Sequence, residues 1–325
     1  MKRREFIALL CASLARPTGV AAQATPVIGY LGSASAGAWQ DRLKAFREGL
    51  SEAGFVDGRN VTIEYRWADN QYDRLPGLAS DLVRRGVAVI VTPASAPAAL
   101  AAQAATKTIP VVFETGADPV TIGLVSSLSR PGGNITGITA SSFALGPKRL
   151  ELLREVVPSA KLFAILVNPA AGDIAARQTQ ELETAARTMG LELLILRAGS
   201  DPEITAAFST LLQQRAAGLV IVPEVFSNSR REQIGGLALQ NGVPAIFQSR
   251  EFAAAGGLLS YGGNIAETHR LTGIYAGRVL KGERPSDLPV IQGTKAELVV
   301  NLKTAKALGL QMPLSLLGRA EEVIE

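Results

Sequence analysis

Hydroxyl, amide and charged side chains recur in this chain directly after short apolar runs, where a parallel sheet would present them at its strand tips. The first half carries Ser33 and Ser35 after VIGYL, Thr92 and Ser95 around the end of VAVIVT, and Glu114, Thr115 and Asp118 at the end of IPVVFE. The second half carries Asn168 closing LFAILVN, Glu224 and Phe226 after GLVIVP, and Arg250 after VPAIFQS. Ligands of open α/β sheets sit beyond the carboxyl ends of the strands. Hydroxyls ahead of a helix, beside free backbone N–H groups, make a neutral cradle for a carboxylate or another anion. Acidic groups facing them would hold an ammonium. Each residue also has a structural reading. Ser33, Ser35 and Ser95 suit helix N-caps. Asp118-Pro119 is a helix-start pattern, with Asp as cap and Pro at the first helical position. Glu114 ends a buried strand and needs a partner or a cleft. Arg250-Glu251 can be a surface ion pair of small energetic consequence. Phe226 can wall a pocket or pack a loop, and Trp39 falls on a core stripe.

Covalent chemistry has little to work with. His269 is the one histidine, so a Ser-His-Asp triad would have to use it, and no nucleophile elbow accompanies it. Metal sites built on cysteine or clustered histidine are excluded. The chain has no G-x-x-x-x-G-K-[ST] phosphate loop and no G-x-G-x-x-G after a strand, and the glycines at 132–133 and 256–257 read as turns. Neither a cofactor nor a metal is expected.

The elements that would position these loops repeat. Residues 27–31 form a continuous apolar strand of the kind buried in a parallel sheet. Trp39, Leu43, Phe46, Leu50 and Ala53 then recur at helical spacing, and Gly54 ends that helix. Strands at 61–67, 87–92 and 109–114 follow, with helices at 74–85 and from Ala96. The second half runs in the same order: strands at 162–168, 191–197, 218–222 and 243–248, helices at 174–189, 204–214 and 230–240. The distance from the first strand's end to the x-Pro strand is 78 residues in one half (Leu31 to Ile109) and 76 in the other (Val167 to Val243). That period is too long for a solenoid. It predicts two similar doubly wound parallel-sheet α/β lobes with a cleft between them; the alternative is one large doubly wound domain.

Residues 1–24 read as a secretory signal: Lys2, Arg3 and Arg4, then a ten-residue apolar run, then small residues ending in Ala22-Gln23-Ala24. Arg3-Arg4-Glu5-Phe6 also fits a twin-arginine signal. The segment holds Lys2, Arg3, Arg4 and Arg16 against Glu5, so removing it takes the formal charge from +4 to +1. No basic stripe is left for nucleic acid. Cys11, the one cysteine, lies in this segment, so the mature chain would have no disulfide; its length allows a core without one.

The whole set of motifs resembles the ABC transporter substrate-binding protein family of the tryptophan/tyrosine type. The stretches that carry the likeness include VTIEYRWA (61–68) with YDRLP (72–76), Asp118-Pro119-Val120, LSRPGGNITG (128–137), KRLELL (148–153), NSRR (228–231), REFA (250–253) and NLKTA (301–305). The likeness implies a periplasmic binding protein of type I, with three crossovers, hinge closure on a small solute such as an amino acid, and an ABC permease and ATPase as partners. It also raises Asp118 from a cap to a ligand residue. The expected organisation is a signal at 1–24, one lobe at 26–141 plus 264–292, and a second at 142–263 plus 293–325, in a periplasmic monomer. A rival reading is an exported α/β hydrolase or lyase, using His269 or a Glu114–Asp118 pair as acid and base. The effector domain of a sugar-type transcription regulator is another, but residues 1–24 offer no DNA-binding helix pair.

Overall fold

The computed structural model describes residues 25–140, 142–293 and 296–325; the signal expected at 1–24 lies outside them. Apolar β-rich runs become strands where the sequence places them, starting with β1 (Val27–Gly32), β2 (Thr62–Trp67), β3 (Val89–Thr92), β4 (Val111–Thr115) and β5 (Ile135–Thr139). The second series is β6 (Leu162–Val167), β7 (Glu192–Arg197), β8 (Leu219–Ile221), β9 (Ala245–Phe247) and β10 (Leu259–Gly262). Three late strands complete the sheets: β11 (Ile291–Gln292), β12 (Glu297–Asn301) and β13 (Glu322–Ile324). One sheet has the order β11-β5-β4-β3-β1-β2 and the other β13-β12-β10-β9-β8-β6-β7.

Within each sheet the first five strands run 5-4-3-1-2 by order of appearance, so the sequence repeat is a repeat of topology. The first sheet is wholly parallel. The second is parallel except where β12 runs antiparallel to β10. Both are doubly wound, and the strand order reverses between the first and third strands of each, the place where such folds bind ligands.

Helices cover the sheets: α1 (Gln40–Glu52), α2 (Leu75–Arg84), α3 (Ala96–Ala105), α4 (Gly146–Val156), α5 (Asp173–Thr188) and α6 (Asp201–Gln213). Further along come α7 (Val225–Ser229), α8 (Arg231–Gln240), α9 (Arg250–Ala254), α10 (Ile265–Leu280), α11 (Leu302–Ala307) and α12 (Leu314–Leu317). None among the described residues is long and apolar enough to cross a membrane. The helix expected over 230–240 is α8, and a separate five-residue helix, α7, capped by Glu224, precedes it. No helix starts at Asp118-Pro119; residues 119–123 form turns, and the Asp118 carboxylate accepts from the Val120 and Thr121 N–H groups.

The chain passes between the sheets three times: from β5 into α4, from β10 into α10, and from β11 into β12. Helix α10 therefore returns to the first sheet. It crosses α1 with backbones nearly touching: a Cβ on Gly49 would lie 1.8 Å from the Arg270 carbonyl, and one on Gly273 2.1 Å from that of Phe46. At the second crossing the buried Arg149 of α4 donates from Nε to the Tyr261 carbonyl at 2.8 Å.

Candidate functional site

The loops after β3 and β4, the first crossing, the loops after β8 and β9, and the start of α10 enclose a cavity of about 50 Å³ between the lobes. Arg42, Glu114, Thr115, Glu224, Asn228 and Gln248 contribute its polar wall. A smaller space of about 20 Å³ adjoins it, bounded by Tyr72, Ser95 and Val225 among others. Phe143, on the first crossing, lines both, and it also lines an outer groove of about 680 Å³ between the Asp118 turn and α5. Gly116 permits this, since a Cβ there would meet Ser142 Oγ at 2.3 Å and the Phe143 ring at 2.9 Å.

Arg42 is the charged group that the sequence reading missed. It lies three residues after Trp39 and four before Phe46, on the buried side of α1; a cation on an apolar stripe is the signal that could have exposed it. Its guanidinium stacks on Trp39, 4.5 Å from the ring centroid. Nη2 reaches across to Asn228 Oδ1 in the other lobe at 3.3 Å, while Nη1 is buried with no hydrogen-bond partner. Burial pulls the Arg42 pKa below its ordinary value. Beside it, Trp39, Ala34 and Val225 form an apolar seal to which both lobes contribute.

Glu224 faces the same cavity. Its Oε2 accepts from the N–H groups of Phe226 (2.8 Å) and Ser227 (3.3 Å), capping α7. Its Oε1 is buried and unpartnered. Desolvation outweighs these hydrogen bonds and pushes the carboxyl up to about 7.

Glu114 is occupied differently. It accepts from Thr268 Oγ1 at 2.8 Å and lies 3.2 Å from His269 Nδ1. His269 Nδ1 also lies 3.0 Å from the Ile265 carbonyl, so facing two acceptors it carries the proton. Its ring sits 5.5 Å from Trp39 in the core of the first lobe. The Asp118 carboxylate lies instead at the outer groove, where it also accepts from Thr121 Oγ1 at 3.0 Å. Burial opposes its ionisation, but the hydrogen bonds from Val120 and Thr121 outweigh this and hold it below the usual carboxylate range. Glu114 and Asp118 thus line different spaces.

The other sequence candidates divide. Thr115 lines the cavity, with Oγ1 accepting from Ala117 N. Thr92 is buried at the tip of β3 with its Oγ1 unpartnered. Ser33 and Ser95 lie Oγ to Oγ at 2.5 Å across the switch point, and Ser95 Oγ caps α3 by accepting from Ala98 N. Ser35 lines none of these spaces. Asn168 caps the turn after β6, accepting from Ala170 N at 3.0 Å. Phe226 packs into the core around Phe208 and Ile234. Arg250 pairs with Glu322 at the exposed edge of β13. Among the described residues no cluster of His, Cys, Asp and Glu could hold a metal.

Two similarly wound lobes meeting over a polar cavity define a solute-binding protein of the periplasmic binding fold. The profile of the family described as ABC transporter substrate binding protein matches residues 34–324, and the chain belongs to that family. It is 29% identical over 269 residues to a tyrosine-binding protein of Clostridioides difficile, covering 82% of this chain and 76% of that protein. It superposes with a TM-score of 0.80 and 26% identity on a Streptococcus pneumoniae ABC domain in complex with L-Trp, covering 92% of this chain and all of that one. The ligand-free, open structure of a substrate-binding protein with adhesive properties from Clostridium difficile gives 0.62 at the same identity, over 92% and 99% of the two chains.

Proposed function

We propose that this protein is the periplasmic receptor of an ABC importer, which captures a small amphoteric solute of the amino-acid type in the inter-lobe cavity and delivers it to a permease and ATPase at the inner membrane. The observation that carries the reading is a polar chamber walled by strand-tip loops of both lobes. A solute held there touches both lobes and favours the closed state by its differential affinity. The moving bodies are residues 26–141 plus 264–292 and residues 142–263 plus 293–325, hinged at the three crossings, and the chain works as a monomer exported by residues 1–24. At equal identity the chain superposes better on the complex with L-Trp than on the open, ligand-free relative, which supports a closed arrangement here. The tyrosine-binding relative supports an amino acid as solute.

The receptor performs no covalent step on its solute. His269 is not among the residues that line the chamber; its Nδ1 is held between Glu114 and the Ile265 carbonyl. The test is a thermal-shift screen with amino acids, small carboxylates and sugars, since a ligand selective for the native state raises the melting temperature. Small-angle scattering with and without the best hit then reads closure. Turnover of a compound, with no stabilising ligand in a broad library, refutes the reading.

A further inference from the structure

We infer that Arg42 and Glu224, one from each lobe, are the residues that read the solute's charges: Arg42 takes its anionic group, Glu224 its ammonium, and a solute lacking either is rejected. The inference rests on the receptor reading above and concerns how that same site discriminates.

The free valences single out these two groups. A guanidinium has five N–H donors and no acceptor capacity, yet among the described residues Arg42 makes one hydrogen bond, 3.3 Å to Asn228. Its Nη1 is buried without a partner at the wall of the chamber. Such a charge is costly unless an anion meets it, and a carboxylate matches the planar fork of the guanidinium. Glu224 offers the complement. One oxygen is committed to the cap of α7, and the other is buried and unpartnered, on a residue of the second lobe that lines the same chamber. Glu114 shares the chamber, but Thr268, Thr272 and His269 already surround its two oxygens, so it is the poorer ammonium acceptor. Because Arg42 belongs to the first lobe and Glu224 to the second, a solute with both charges ties the lobes together, and one with a single charge leaves a buried group unanswered.

The experiment is calorimetric titration at pH 7.5 with L-alanine, L-tyrosine and L-tryptophan, each beside its amide and its N-acetyl form. Wild type should bind at least one free amino acid and lose roughly 30-fold or more in affinity for both of its derivatives, the scale of a desolvated charge left unpaired. Arg42→Gln should narrow the gap between the acid and its amide while keeping the penalty for N-acetylation. Glu224→Gln should do the reverse. Circular dichroism and thermal melts check that each variant folds; the derivative series on wild type stands without them. Wild type binding a free acid and its derivatives alike, or each folded variant keeping the full wild-type pattern, overturns the assignment and leaves the receptor reading intact. Absence of binding by any amino acid overturns the amino-acid reading itself.

Discussion

Replacing Glu224 by glutamine should stabilise the protein in a pH-dependent way whose size follows from the carboxyl's burial. The side chain's ordinary pKa is 4.5, and in the fold it stands at about 7. Between those values the folded state holds a proton that the unfolded state has released. Stability therefore falls as pH rises through that window and is level above it. Each pH unit is worth about 1.4 kcal/mol, so ionising Glu224 in place costs on the order of 3 kcal/mol. Glutamine keeps an oxygen for the N–H groups of Phe226 and Ser227 but never ionises. Urea unfolding followed by tryptophan fluorescence at pH 4 and pH 8 gives the comparison. At pH 4 wild type and Glu224→Gln should agree to within about 1 kcal/mol, and at pH 8 the variant should be the more stable by about 3 kcal/mol. A gap that is equal at the two pH values would mean that desolvation does not govern this carboxyl. The same logic fixes a sign for ligand binding. A cationic group needs the carboxylate, so affinity for it should weaken as pH falls below about 7.

The other expectations concern packing. Gly49→Ala and Gly273→Ala should each cost about 3 kcal/mol or more by forcing α1 and α10 apart. Because one separation relieves both clashes, the double variant should cost less than the sum; additive losses in urea unfolding would contradict a shared crossing. Arg149, with both terminal nitrogens buried and unpartnered, is pulled down to about 9 by burial. Arg149→Met should leave stability unchanged or raise it by about 1–2 kcal/mol, and a clear loss would show that its bond to the Tyr261 carbonyl holds the second crossing. His269→Gln should lower the melting temperature yet keep solute affinity within about threefold by calorimetry. A hundredfold loss would make the imidazole part of the site.

The architecture was legible because buried parallel strands announce themselves as unbroken apolar runs: residues 27–31 and 162–168 became β1 and β6 nearly to the residue. The closing strands were not. β12 offers an apolar run of only three residues, Leu298–Val300, and β13 is short with exposed positions, so neither stands out. At the site, type and position in a loop located Glu114, Thr115 and Glu224 on the chamber wall but gave no side-chain direction, and Phe226 turned into the core. The Asp118-Pro119 pair reads as a helix start locally, and its carboxylate does accept from the Val120 and Thr121 N–H groups, but Gly123 takes φ 76°, outside the helical region, and the turn goes no further. Arg42 escaped notice because the stripe around it was read for its apolar members alone.

The crossing of α1 by α10 bears on how the molecule comes to be made. More than two hundred residues lie between Gly49 and the Arg270 carbonyl it packs against, and the edge strand β11 of the first sheet is not available until residue 291. A nascent chain that has already emitted β1 to β5 is thus still missing a covering layer and a border strand while β6 to β10 of the second lobe are synthesised. Contacts of such long sequence separation slow folding, because the loop must close before they can form. The half born first waits for most of the other half before its own sheet is closed, so premature release of the polypeptide would strand it with an uncovered sheet.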